Sequence, residues 1–134
     1  MVDRMKRTRK NGRIIIPANR KPWPHELRTA RILAVAGYCV EFLSEKNLHA
    51  PDILLNGVEY EIKSPETGKT SSLEQSIRTA LKQCPNVIID SSRMKMHDDR
   101  VCRFLIKKCR EQKQIKKMIL VTKTGNIIDI FELF

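Results

Sequence analysis

Ala50-Pro51-Asp52-Ile53-Leu54-Leu55-Asn56-Gly57-Val58-Glu59-Tyr60-Glu61-Ile62-Lys63-Ser64 reads as a tight β-hairpin around which the chain is organised. Asn-Gly between two apolar runs is the strongest short-range signal for a two-residue type I′ hairpin turn. That turn pairs Leu55 with Val58, Leu54 with Glu59, Ile53 with Tyr60 and Asp52 with Glu61. Side chains alternate across a strand, so Ile53, Leu55, Val58, Tyr60 and Ile62 share one face, which must point into a core. The other face collects Asp52, Glu59, Glu61 and Lys63, with Leu54 among them. Two carboxylates are then opposed, and like charges opposed on a sheet destabilise it. A divalent cation removes the conflict, because Mg²⁺ prefers carboxylate oxygens and needs only one or two from the protein. Without a cation, the same pattern is a Glu-Lys ladder on the solvent face of a hairpin.

Outward from the hairpin, the chain reads as alternating elements. Pro24 suits a first helical position. His25–Ala36 carries an apolar stripe of Leu27, Ala30, Leu33 and Ala34, and Gly37 follows as a C′ residue. Tyr38–Leu43 reads as a strand. After the hairpin, Ser64–Thr70 is a loop, and a helix follows in which Ser71 or Ser72 serves as N-cap with Glu74 or Gln75 completing a capping box. Leu73, Ile77, Ala80, Leu81 and Cys84 mark its buried side, and Pro85 ends it. Asn86–Asp90 is a short apolar strand of the kind found at a central position. A helix opening at His97-Asp98-Asp99 buries Val101, Phe104, Leu105 and Cys109. Met118–Thr122 and Ile127–Phe131 form a closing strand pair around Thr124-Gly125-Asn126. Ile14-Ile15-Ile16 offers an edge strand near the start. The order predicts an α/β domain, a mixed β-sheet flanked by helices. Its organisation is a basic N-terminal arm over 1–21 and a single domain over 22–134.

Composition narrows the partner. The 134 residues hold 26 Lys and Arg against 15 Asp and Glu, a formal charge of +11. Such a balance favours a polyanion, with nucleic acid first and an anionic membrane surface second. No apolar run approaches the roughly 18 residues of a membrane span, and no signal segment follows the basic N-terminus. Cys39, Cys84, Cys102 and Cys109 form no C-x-x-C pair and have no zinc spacing. They read as reduced thiols of a cytoplasmic environment, with Cys39 and Cys84 at buried positions.

Pro51-Asp52 followed by Glu61-Ile62-Lys63 resembles the PD-(D/E)XK nuclease motif. More closely, Asp52–Asp90 resembles the C-terminal toxin nucleases of CdiA proteins of contact-dependent growth inhibition. The matching stretches are Pro51-Asp-Ile-Leu, Glu61-Ile-Lys-Ser-Pro65, the helix bearing Glu74-Gln75 and Arg78, and Asn86-Val-Ile-Ile-Asp90. The resemblance implies a restriction-endonuclease-like core and a metal-dependent nuclease acting on RNA, tRNA above all. It implies an immunity protein as partner and action in the cytoplasm of a target cell after secretion by a carrier. The large body of such carriers is missing here, so the chain reads as an excised domain or a free-standing relative.

On this reading Asp52 and Glu61 hold Mg²⁺ or Mn²⁺, which activates water and neutralises charge. Lys63 orients or deprotonates the water or stabilises the transition state. Glu26 on the first helix joins the metal site, and Gln75 sits beside it. Lys69, Arg78, Lys82 and Arg13 contact the nucleic acid. Glu59 is a spare ligand or simply exposed. Two other functions compete. A metal-independent RNase of the barnase, EndoU, colicin or RelE kind would use His25, His49 or His97. A non-catalytic nucleic-acid-binding module would bind without cleavage. With one tryptophan, Trp23, and two tyrosines in the chain, a base-stacking platform is not expected.

Overall fold

A computed structural model describes residues 12–44 and 50–134. Its elements are β1 (Arg13–Ile15), α1 (Pro24–Val35), β2 (Cys39–Phe42), β3 (Ile53–Leu55), β4 (Val58–Lys63), α2 (Thr70–Leu81), β5 (Asn86–Asp90), α3 (Asp98–Glu111), β6 (Lys117–Val121) and β7 (Ile127–Asp129), closed by a 3₁₀ turn over Ile130–Leu133. The seven strands lie side by side in chain order. β1 runs parallel to β2, β2 to β4 form an antiparallel meander, β4 to β6 are parallel, and β7 returns antiparallel. The sheet is mixed, as the element order predicts.

The hairpin forms as read: Asn56 has φ 48° and Gly57 φ 83°, the left-handed pair that a type I′ turn demands. Leu55 faces Val58, Leu54 faces Glu59 and Ile53 faces Tyr60. The ladder stops there. Asp52 does not pair with Glu61 in the strand; its Oδ2 accepts the Ile62 N–H at 2.8 Å. Val58, at the turn, is exposed rather than in the core.

Alternation sorts the sheet into two faces. Val40, Phe42, Ile53, Leu55, Tyr60, Ile62, Ile88 and Ile119 pack under Ala30 and Leu33 of α1. Val87, Ile89, Met118 and Leu120 pack on the other face under Leu73, Ile77 and Ala80 of α2 and Val101, Leu105 and Cys109 of α3. The layering is therefore α1, sheet, then α2 with α3, which gives the third helix and the closing strands their place.

Several boundaries move. α2 starts at Thr70 with Lys69 as N-cap and no side-chain cap bond, so Ser71 and Ser72 are inside the helix. It ends at Leu81, yet Cys84 stays buried beyond it. β7 ends at Asp129, not Phe131: the Asp129 carboxylate accepts from the Phe131 N–H and turns the chain into the 3₁₀ segment. Cys39 and Phe104 are only half-buried. All four cysteines are free. Burial pushes the Cys84 and Cys102 thiols up and Cys109 to about 12, which disfavours their thiolates. Part of the basic N-terminal segment is built into the sheet as β1, and Gly12 before it is indispensable: a Cβ there would lie 1.7 Å from the Tyr38 carbonyl oxygen. Residues 1–11 and His49 lie outside the described residues. No described helix is long and apolar enough to cross a membrane.

Candidate active site

β2, β4 and β5 all point the same way, and α1 begins at the end where they finish. Open α/β sheets bind ligands beyond the carboxyl ends of their strands. A cleft of about 330 Å³ lies there, walled by His25 and Glu26 of α1, Asp52 before β3, Glu61, Ile62 and Lys63 of β4, Ser64 and Pro65 after it, Ser76 of α2 and Arg93 after β5. Asp52, Glu61, Lys63 and Glu26, read from the sequence as site residues, thus share one cleft.

Glu61 faces α2 rather than solvent. β3 and β5 flank its strand, and it is only 7% exposed, which excludes the solvated Glu-Lys ladder. Burial, and next the neighbouring Asp52 carboxylate, push its carboxyl up to about 7, opposed by Lys63. The Lys63 ammonium lies 3.6 Å from Glu61 Oε2, two residues along on the same face. Glu61 Oε1 is buried with no hydrogen-bond partner among the described residues, and the Ser64 hydroxyl in the same wall is likewise unmatched.

Arg20 is the group that sequence reasoning missed. It is 9% exposed and bridges two of the acids. Its Nη2 is 3.2 Å from Glu26 Oε2 and 3.7 Å from Asp52 Oδ1, its Nη1 donates to the Leu43 carbonyl, and its guanidinium lies over the Phe42 ring. Glu26 Oε1 accepts the Trp23 N–H at 2.8 Å. Both Glu26 oxygens are therefore engaged, as are both of Asp52, by the Ile62 N–H and by Arg20. In the sequence, nothing marks Arg20 off from its basic neighbours such as Arg13 and Lys21.

A second tie fixes α1 over the strand ends. Arg28 Nη1 reaches both oxygens of the fully buried Asp90 at 2.9 Å, and Arg28 Nη2 donates to the Thr122 and Lys123 carbonyls. Thr29 Oγ1 and the Ser92 N–H also donate to Asp90.

The other site candidates lie elsewhere. Gln75 is exposed and accepts from Arg78 at 2.8 Å; the α2 residue facing the cleft is Ser76, one position on. Arg78 also pairs with Glu74, and Lys69 and Lys82 are exposed at the two ends of α2. Arg13 is exposed on β1, paired with Cys39 at the opposite end of β2 from the cleft. Glu59 is exposed. His97 is the exposed N-cap of α3, whereas His25 stands in the cleft wall.

Do these residues suit a divalent cation? No set of three His, Cys, Asp or Glu side chains among the described residues closes on one point. Mg²⁺ needs no such cage, because water and substrate phosphate complete its shell. The unmatched Glu61 Oε1 and the adjacent Asp52 carboxylate are the donor chemistry it uses, and a cation beside them would offset their mutual repulsion. The residues fit the ion.

A comparison with curated proteins finds no match. Among solved structures, the chain resembles a CdiA-CT/CdiI toxin and immunity complex from Burkholderia pseudomallei, with a TM-score of 0.65 and 20% identity over 87% of this chain and 97% of that one. At that identity the likeness concerns the fold. The family model for the contact-dependent growth inhibition CdiA C-terminal domain matches residues 49–127, a span that holds Asp52, Glu61, Lys63 and Asp90 and exceeds half of the sequence. The chain belongs to the CdiA C-terminal domain family of contact-dependent growth inhibition.

Proposed function

We propose that the protein is a toxin nuclease that hydrolyses phosphodiester bonds of RNA, tRNA foremost, with Mg²⁺ or Mn²⁺ held by Asp52 and Glu61 on a restriction-endonuclease-like core. The single observation that supports this reading is the cleft itself: two carboxylates and an ammonium line one pocket, with one buried carboxylate oxygen left unmatched. A bound ion would supply Lewis-acid charge at the phosphoryl oxygen and lower the pKa of a water. The chain's own groups do the rest. The Ile62 N–H fixes the Asp52 carboxylate, and Arg20 lies 3.7 Å from its second oxygen. Lys63, 3.6 Å from Glu61, would orient the attacking water or balance charge growing on the phosphorane. Ser64 and Ser76 offer hydroxyls along the wall, and the Arg93 guanidinium can neutralise an adjacent phosphate.

Family membership and the toxin–immunity complex among its structural neighbours support two further parts of the proposal. The protein is neutralised by a cognate immunity protein, and it acts in the cytoplasm of a target cell after delivery by a carrier. One observation favours a second reading: His25 stands in the same cleft as Glu61. An imidazole and a carboxyl can act as base and acid in a metal-free attack by the ribose 2′-OH.

The experiment is incubation with total tRNA and plasmid DNA in Mg²⁺, Mn²⁺ or EDTA, beside Lys63→Ala and Asp52→Ala. Cleavage of tRNA is expected in the metals and absent in EDTA and in both variants. Full cleavage in EDTA, lost in His25→Ala, would transfer the assignment to the metal-free mechanism.

A further inference from the structure

Beside the carboxylate cleft, and sharing His25 and Arg93 with it, lies a larger hollow of about 740 Å³ lined by Trp23, Pro24, His25, Arg28, Ser92 and Arg93. Its floor is apolar and aromatic. Trp23 is 67% exposed, the most exposed of the large apolar side chains described. Its ring runs parallel to that of His25, with 7° between planes and 6.4 Å between centroids. Two guanidinium groups border it, and both are held in place: Arg28 by Asp90, and Arg93 by Glu66 and the Ser64 carbonyl.

We propose that this hollow is a base-stacking subsite, in which an unpaired nucleobase next to the cleaved phosphate lies on Trp23 while Arg93 faces a flanking phosphate. The proposal rests on the nuclease reading and gives that cleft its substrate class, single-stranded or looped nucleic acid. An exposed indole over an apolar floor costs hydration in the free protein and is relieved by any flat π surface; the cationic border and the formal charge of +11 select a nucleotide among such surfaces. A duplex keeps its bases stacked inside and offers none to the ring. Two aromatic side chains two residues apart at a helix start suffice for a platform, so the scarcity of aromatics in the sequence does not exclude one.

Trp23 is the sole tryptophan, so its fluorescence reports the subsite directly. The Lys63→Ala protein, which spares the ligand, is titrated with a single-stranded oligoribonucleotide, the same strand in a duplex, and an abasic ribose-phosphate chain of equal length. The single strand is expected to quench the emission saturably, and the abasic chain to bind with the emission unchanged. In anisotropy titrations of labelled strand, adding Trp23→Ala weakens single-strand binding by roughly 5- to 150-fold, leaves abasic-chain binding unchanged, and Trp23→Phe restores most of the loss. Thermal melting checks that each variant stays folded. Saturable single-strand binding without quenching, equal quenching by the abasic chain, or a Trp23→Phe protein as weak as Trp23→Ala overturns the subsite. Failure of the nuclease reading looks different: quenching and Trp23-dependent binding remain, and the parent protein cleaves nothing in any metal.

Discussion

Glu61 carries the sharpest consequence at the scale of one residue. Its carboxyl is pushed up to about 7 in the folded protein, against the ordinary value of 4.5 in the unfolded chain. Between those values the folded state keeps a proton that the unfolded state has lost. Stability contributed by the protonated form is therefore complete below pH 4.5 and is lost as pH rises through 7, by up to about 3 kcal/mol at about 1.4 kcal/mol per unit. Urea denaturation in EDTA at pH 4.5 and 7.5 is expected to show that fall in the parent, and Glu61→Gln is expected to flatten it. Identical slopes in both proteins would remove Glu61 as the cause. Saturating Mg²⁺ at pH 7.5 is expected to raise the melting temperature of the parent but not of Asp52→Ala, since a ligand stabilises only the state that binds it. For Gln75→Ala, tRNA cleavage within about threefold of the parent is expected, because the side chain is turned to Arg78 outside the cleft; a loss on the scale of one removed catalytic group, about 10²-fold or more, would put it back in the site. That Glu61 and Lys63 share one side of β4 was legible, because alternation along a strand makes spacing into geometry; where Asp52 lies was not, since the ladder ends at Ile53 and Tyr60. Arg20 was not legible: its two acids lie 6 and 32 positions away, and only the folded chain brings them together.

Among the elements, α1 is the one whose placement makes the cleft. It is held at its N-terminus by the Glu26–Arg20 pair and one turn later by Arg28 on Asp90. Breaking a buried pair leaves an uncompensated charge, which costs about 3–5 kcal/mol. Asp90→Ala is expected to lose about that much in urea denaturation, because the Arg28 guanidinium loses its carboxylate and the Thr29 hydroxyl keeps only the His25 carbonyl. A change under 1 kcal/mol would show the tie to be ornamental. Arg20→Ala is expected to lower tRNA cleavage at least tenfold, through release of Asp52 and Glu26, at unchanged metal optimum; an unaltered rate would deny it that positioning part. The helices and central strands were readable from periodicity over several turns. Their ends were not, since Lys69 caps α2 by backbone geometry alone and Asp129 stops β7 through a single local hydrogen bond. The cleft-facing residue of α2 depends on helix phase, and a shift of one position exchanges Gln75 for Ser76.

For the whole molecule, the mixed sheet with helices on both faces followed from element order. The assignment of α1 to one face and of α2 and α3 to the other came only from which apolar positions share a side of the strands. Binding of RNA is expected to weaken steeply between 50 and 200 mM salt, on the order of tenfold or more, as counterions released by the phosphates are recaptured; a flat response would mean that the excess basic charge lies off the contact surface. The chain-order sheet has a further consequence. No strand is wedged between two that precede it in the chain, so every strand pairing joins consecutive strands. Strand contacts of this kind join segments that follow one another along the chain, the topology in which the least backbone entropy is spent before pairing is rewarded.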